Sequence, residues 1–388
     1  MRLSQRDDQP THALRHVECG NLVPPSEESM LTYYVDETGF TGEDLLAPNQ
    51  PLFAQSTNNF TSDEAQAIIG ATFGGVNAKE LKHSRLVRNP RHRDRIIELV
   101  RIVASDPTRA GTWISHKEFA LVTLIVDWWM EPLANSYGLN LYKDGANIGM
   151  ANMLFVCLEG FWSKTFRRNL LLHFQRMFRS RTQERFAECK RLVLKEKNKV
   201  DSDRAEILRY FWLSFPMLGL PHIRDLPKRV LDLALPGLMF IGHKWRERDE
   251  GPWEVVHDQS SNMAKQRWLW DALTSPDVPA AQFHNPGGVA IFPMNVSATR
   301  FGDSTEEKQL QICDILAGAT SAYLRSLGVQ SEKGRYSDRL SEAGIEKLIM
   351  GGLWPSTEVT PEALGTRGWD GNIAVEWISR EVQTRPKP

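Results

Sequence analysis

The feature that most constrains the fold of this chain is one carboxylate, Asp314, set within Leu310-Gln311-Ile312-Cys313-Asp314-Ile315-Leu316-Ala317-Gly318. The spacing predicts a helix over 306–326, following Asp303-Ser304, with Leu310, Cys313, Leu316 and Ala317 around the acid at helical neighbour positions. A carboxylate on so apolar a face is costly to bury alone, so the fold must bring it a partner. Further acids stand in similarly punctuated settings, far apart in the chain. Asp36-Glu37 follows Tyr33-Tyr34-Val35 and precedes Thr38-Gly39; Glu80 lies in Lys79-Glu80-Leu81-Lys82-His83-Ser84; Asp258 ends Val255-Val256-His257-Asp258. Gathered together, such groups repel unless they are protonated or bridged by a cation. A divalent-metal site is the sharpest reading of the set.

Each acid also has a plain structural role open to it. Asp-Glu-Thr-Gly is a good strand-ending turn, Asp258 can cap the helix expected over Ser260–Leu273, and Glu80 can pair with Lys82 at the surface. Strand alternation sends Glu37 to the face opposite Asp36 and His257 to the face opposite Asp258, so Asp36 and Asp258 are the preferred ligands. Lys82 is placed to contact a phosphate or position a nucleophile.

The rest of the sequence bounds the class. A length of 388 residues, 41% hydrophobic and 24% charged, is enough for a sizeable core and up to three domains. The net charge of -1 gives no global signal for nucleic acid, though a local groove depends on where the charge lies. Cys19, Cys157, Cys189 and Cys313 have no short metal-ligand spacing, which excludes a zinc ribbon or CxxC motif and predicts reduced thiols. The polar start and the short apolar run from Phe119 to Met130, interrupted by Asp127, predict a soluble, cytoplasmic protein.

Along the chain, an extension over 1–30 precedes a strand at 31–36, a second strand at 50–56, a helix after Thr61, a helix over about 91–104 and a strand at 111–115. Residues 117–245 read as a helical insertion. Strand composition returns at 253–258, with further short strands near 288–292 and 296–298, and a C-terminal extension over 331–388 has helical potential at 341–349 and 374–382. The expected fold class is therefore α/β: a mixed sheet flanked by helices, in two parts (31–116 and 246–330) around the insertion. Within the insertion, residues 164–199 carry twelve Lys and Arg against three Glu, a balance of +9, interleaved with Phe166, Phe174, Phe178 and Phe186. This predicts an amphipathic helix or helix pair. It is read either as a solvated face over core, as a phosphate-binding surface through Arg176, Arg179 and Arg181, or as a contact for an anionic protein or membrane.

Several of these blocks resemble the large bacterial family of uncharacterised proteins with an RNase H-like domain known as DUF3800. Tyr34-Val35-Asp36-Glu37-Thr38-Gly39 is similar to its opening "YIDESG" block, and Glu80-Leu81-Lys82 to its internal Glu-x-Lys block. Val256-His257-Asp258 is similar to its later acidic strand. Asp303-Ser304 with Leu310 to Gly318 is similar to its closing "DS…LQLADLIAG" block. Thr38 stands where serine is usual and Cys313 where alanine is usual. The likeness spans roughly 31–326, discontinuously. It implies an RNase H-like sheet with strand 31–36 near its centre and the 306–326 helix carrying Asp314 across to it. Members of that family occur beside mobile-element and phage-defence genes, so the likeness also implies a role in phage or mobile-element defence.

Together these readings predict a nuclease that hydrolyses DNA or RNA with Mg²⁺ or Mn²⁺. Asp36, Glu80, Asp258 and Asp314 are the expected oxygen ligands and Lys82 a catalytic-site phosphate contact. The alternative is a non-catalytic nucleic-acid-binding or regulatory protein on the same fold, and a phosphatase or other phosphoryl-transfer enzyme is a third reading.

Overall fold

The computed structural model describes residues 30–259, 261–285, 288–327 and 335–383; the extension expected over 1–30 lies outside them except for Met30. The strands are β1 Thr32–Thr38, β2 Leu52–Asn58, β3 Ala110–His116, β4 Trp253–Asp258, β5 Ala281–Asn285, β6 Gly288–Phe292, β7 Val296–Gly302 and β8 Ile349–Leu353. Six of them form one mixed sheet in the order β7-β4-β1-β2-β3-β8, and β5 and β6 pair separately. β2 runs antiparallel to both β1 and β3, whereas β4 joins β1, β7 joins β4 and β8 joins β3 in parallel. Gly39 turns the chain out of β1 with φ +77°, and a Cβ there would sit 2.1 Å from the Leu52 carbonyl oxygen, so no larger residue fits this turn.

Alternation along the central strands divides the core. Tyr33, Val35, Phe53, Trp113, Trp253 and Val255 enter one large apolar cluster with the helical region, where Tyr33 stacks on Trp245 with ring centroids 3.8 Å apart. Tyr34 and Val256 face the other way, against Leu310 and Cys313 of helix Lys308–Leu327. That helix lies over β1 and β2 and packs with helix Ser62–Phe73, whose start is fixed by a reciprocal cap between Thr61 and Glu64. Burial on both faces suits the parallel β1-β4 pair, with the more exposed β7 at the sheet edge.

Between β3 and β4 the chain is helical, from Lys117–Ile125 through Ala234–Arg246, as expected from its texture. Gly219, at φ +69°, breaks Ser202–Asp225 between Pro216 and Pro221. The result is an α/β architecture: a mixed six-stranded sheet flanked by helices, with a large helical insertion. Two strands were not anticipated. β5 adds a hairpin, and β8 comes from the segment set apart as a C-terminal extension, where it extends the main sheet beyond β3. The helix expected at 341–349 instead ends at Glu342, because Gly344 takes φ +89° and redirects the chain into Ile345–Leu348 and then β8. Among the described residues no helix is long and apolar enough to cross a membrane.

Candidate functional site

Asp36 and Asp258 leave neighbouring parallel strands at the same level, since Val35 pairs with His257 one residue before each. Asp36 shares the face of Tyr34 and is 5% exposed. Its Oδ1 accepts from the Glu37 N–H at 2.7 Å, whereas its Oδ2 is buried with no partner. Burial, reinforced by repulsion from Asp314, Asp258 and Glu37, holds the Asp36 carboxyl well above the usual carboxylate range.

Glu80 and Lys82 come from the chain just before the short helix His83–Leu86, and that segment is tied down from the Asp314 helix. Gln311 Oε1 accepts from the Leu81 N–H at 3.4 Å and Gln311 Nε2 donates to the Ser304 carbonyl at 2.5 Å, while the Ser304 hydroxyl donates to Glu80. Asp314 Oδ2 accepts from the His83 N–H at 2.6 Å. Three residues over about two turns of one helix therefore face this segment: Gln311, Asp314 and Gly318. A Cβ on Gly318 would lie 2.2 Å from the His83 ring, so glycine is what admits that ring. Burial and Arg325 depress His83 to about 4, which leaves it neutral near pH 7.

Lys82 lies among the acids. Its Nζ is 2.9 Å from Glu80 Oε1 and 3.6 Å from Asp258 Oδ2, and it is attracted also by Asp36 and Asp314. Burial opposes its charge, but these acids together raise its pKa above the ordinary lysine value. Burial likewise works against the Glu80 charge, and Ser304 and Lys82 outweigh it to hold that carboxyl low. Asp314 is raised, first by burial, with the His83 N–H and Lys82 partly countering. The five residues expected from the sequence thus form one electrostatically connected group on one sheet face. Among the described residues, no three His, Cys, Asp or Glu side chains are grouped so as to hold a metal ion. The cation standing among these acids is the Lys82 ammonium.

Glu37 and His257 occupy the opposite face, as alternation requires. Their side chains approach to 3.3 Å, within ion-pair range but not aligned as a hydrogen bond, and His257 Nδ1 lies 2.8 Å from the Asp258 carbonyl oxygen. The roles of Ser304, Gln311, His83 and Gly318 were not assigned from the sequence. The 311-314-318 spacing on one helical face was the available signal.

The basic region is organised differently. Phe166, Phe174, Phe178 and Phe186 are buried in the large apolar cluster, so they offer no stacking platform. Arg181, in the left-handed conformation at φ +54°, closes helix Lys164–Ser180 and donates to the carbonyls of Leu226 and Pro227, each at 2.5 Å. Arg167 pairs with Glu118 and Glu159, and Arg185 with Glu188. Arg176 and Arg179 are exposed.

Comparison with protein-family models, curated proteins and solved structures returns no match for this chain.

Proposed function

We propose that this protein is a divalent-metal-dependent phosphodiesterase acting on DNA or RNA, built on an RNase H-like sheet. The observation that carries the reading is the grouping of Asp36, Asp258 and Asp314 on one sheet face, with Glu80 joined to them through Lys82, beside a buried Asp36 oxygen that has no partner. The antiparallel β1-β2-β3 unit followed by parallel β4 and β7, with acids at the ends of adjacent β1 and β4, supports the RNase H-like assignment and the likeness to DUF3800. Reactive groups on α/β sheets commonly sit at such strand ends.

The donor chemistry, though not the side-chain spacing held among the described residues, suits a hard cation. Four carboxylates offer oxygen ligands of the kind Mg²⁺ and Mn²⁺ prefer, and the orphaned Asp36 Oδ2 is a buried acceptor in need of a positive partner. When bound, such an ion polarises phosphate oxygens and lowers the pKa of water. Asp36 and Asp258 present their carboxylates from rigid strands, Asp314 is fixed by the His83 N–H, and Glu80 is oriented by Ser304. Lys82, a point charge on a flexible four-carbon stem, supplies positive charge for a phosphate.

Cleavage assays with Mg²⁺, Mn²⁺ or EDTA on single- and double-stranded DNA and RNA test this proposal. Metal-dependent turnover that D36N and D314N abolish, with folding retained, is the expected outcome; wild-type activity in both variants rejects it. A second reading, a catalytically silent nucleic-acid binder, is favoured by the Lys82 ammonium standing among the acids. Salt-sensitive binding without turnover under every metal condition would select it.

A further inference from the structure

Lys82 is the residue for which the proposed hydrolytic role leaves most unexplained. A phosphate contact should point its ammonium outward to substrate, yet Nζ lies 2.9 Å from Glu80 Oε1 and 3.6 Å from Asp258 Oδ2, on the carboxylate oxygens that a divalent ion would need. The side chain is 26% exposed, so solvent lies on one side of it, and its backbone belongs to the segment leading into His83–Leu86 rather than to the sheet. Asp36, by contrast, is anchored in β1, and its Oδ2 is buried without a partner even with Lys82 in the group. The ammonium therefore neutralises the outer part of the cluster and leaves its innermost oxygen unsatisfied.

We propose that Lys82 is a built-in counter-ion that holds the carboxylate cluster together without metal and competes with the divalent ion, so that metal loading requires its ammonium to leave Glu80 and Asp258. This rests on the metal-dependent reading above and adds a regulation of the same site. A lysine suits this role because it is a compact point charge on a flexible stem and can swing to solvent without moving the backbone. Two positive charges cannot share these oxygens at contact distance without strong repulsion. Loading is then an exchange of cations. It weakens metal affinity, keeps the metal-free protein folded, and frees the ammonium toward solvent, where a substrate phosphate can meet it.

Manganese titration of the full-length protein, followed by calorimetry and thermal denaturation, tests the exchange. The K82M variant keeps much of the stem and removes the charge. It should melt below wild type in EDTA, recover with Mn²⁺, and bind Mn²⁺ at least about tenfold more tightly, the change that accompanies loss of an interaction worth one pKa unit. K82R, which keeps the charge, should return affinity toward wild type. Equal or weaker Mn²⁺ binding by K82M, beside clear binding by wild type, overturns the competition while leaving the metal-dependent reading standing. Absence of Mn²⁺ binding by both proteins overturns that reading and the competition with it. A second measurement needs no variant. Acylation of Lys82 by an amine-reactive ester, read by mass spectrometry on wild-type protein, should accelerate when Mn²⁺ is added. An unchanged or slower rate counts against the exchange.

Discussion

The acidic sheet face and the basic stretch over 164–199 make opposite use of charge. The acids are scattered from Asp36 to Asp314, yet the fold assembles them into one group joined through Lys82, in which Asp36 is repelled by Asp314 and Asp258, and Asp314 by Glu80 and Asp258. The basic residues are contiguous and the fold disperses them: Arg181 is spent on carbonyls, Arg167 and Arg185 on glutamates, and the interleaved phenylalanines on the core. Nearness in sequence is thus a poor guide to a site. What marks the acidic group is its cost, because a carboxylate kept on an apolar face without an adjacent partner must be compensated from elsewhere in the fold.

The largest expected effect breaks the acidic side of this comparison. D36N and D314N should each lower metal-dependent cleavage by about 10³-fold, the scale of losing an ion that stabilises charge in the transition state. In EDTA the same D36N change should raise the melting temperature, by about 2 °C if roughly 1 kcal/mol of desolvation and repulsion is relieved. The sign follows from the raised Asp36 pKa: the folded state binds this proton more tightly than the unfolded state, whose ordinary value is 3.8. Ionised Asp36 therefore costs stability above its folded pKa, and the cost fades as pH falls through that value toward 3.8. Melting curves of wild type and D36N from pH 4 to pH 8 should diverge as pH rises, and parallel curves would remove Asp36 from the cluster.

The next effect sharpens how the acids are held. Q311A frees the segment that carries Glu80 and Lys82, and should reduce cleavage by about 10–100-fold, as outer-shell partners of metal ligands do. Steady-state kinetics with metal titration would show it chiefly as weaker metal dependence. G318A drives a methyl group into the His83 ring and should cost about 1–3 kcal/mol in denaturant unfolding.

The smallest effects fall on the basic region. R181A should destabilise the protein by about 1–2 kcal/mol through its lost carbonyl bonds, because its role is to close a helix. Charge reversal at the exposed Arg176 and Arg179 should leave stability within about 0.5 kcal/mol. If these two residues touch a nucleic-acid backbone, filter binding across a salt series should lose about one unit of slope per contact. An unchanged slope makes this stretch a solvated packing face.

Much of the architecture was legible. The Thr61–Glu64 cap, the alternation through Tyr33 to Asp36, the strand ending at Asp258 and the apolar helix around Asp314 each follow from local chemistry, and each stands in the structure. The position of Glu80 was legible only as a spacing, because its place depends on a hydrogen bond from Ser304 and on the neighbouring Leu81 N–H bonding to Gln311, both more than 200 residues away. β8 escaped for a related reason. Ile349-Met350-Gly351-Gly352-Leu353 has weak strand propensity, and Gly351 takes φ +148°. Its pairing with β3 is a long-range contact that no local pattern announces.

The central claim is that the dispersed acids, not the contiguous bases, form the working centre of the molecule. Binding of Mn²⁺, followed by electron paramagnetic resonance on the wild-type chain, D36N, D314N and the R176E/R179E double variant, tests it most directly. The account predicts a bound-ion signal in the wild type, affinity weakened by at least about tenfold in either acidic variant, and wild-type affinity in the double variant. A signal that persists unchanged in D36N and D314N would contradict it.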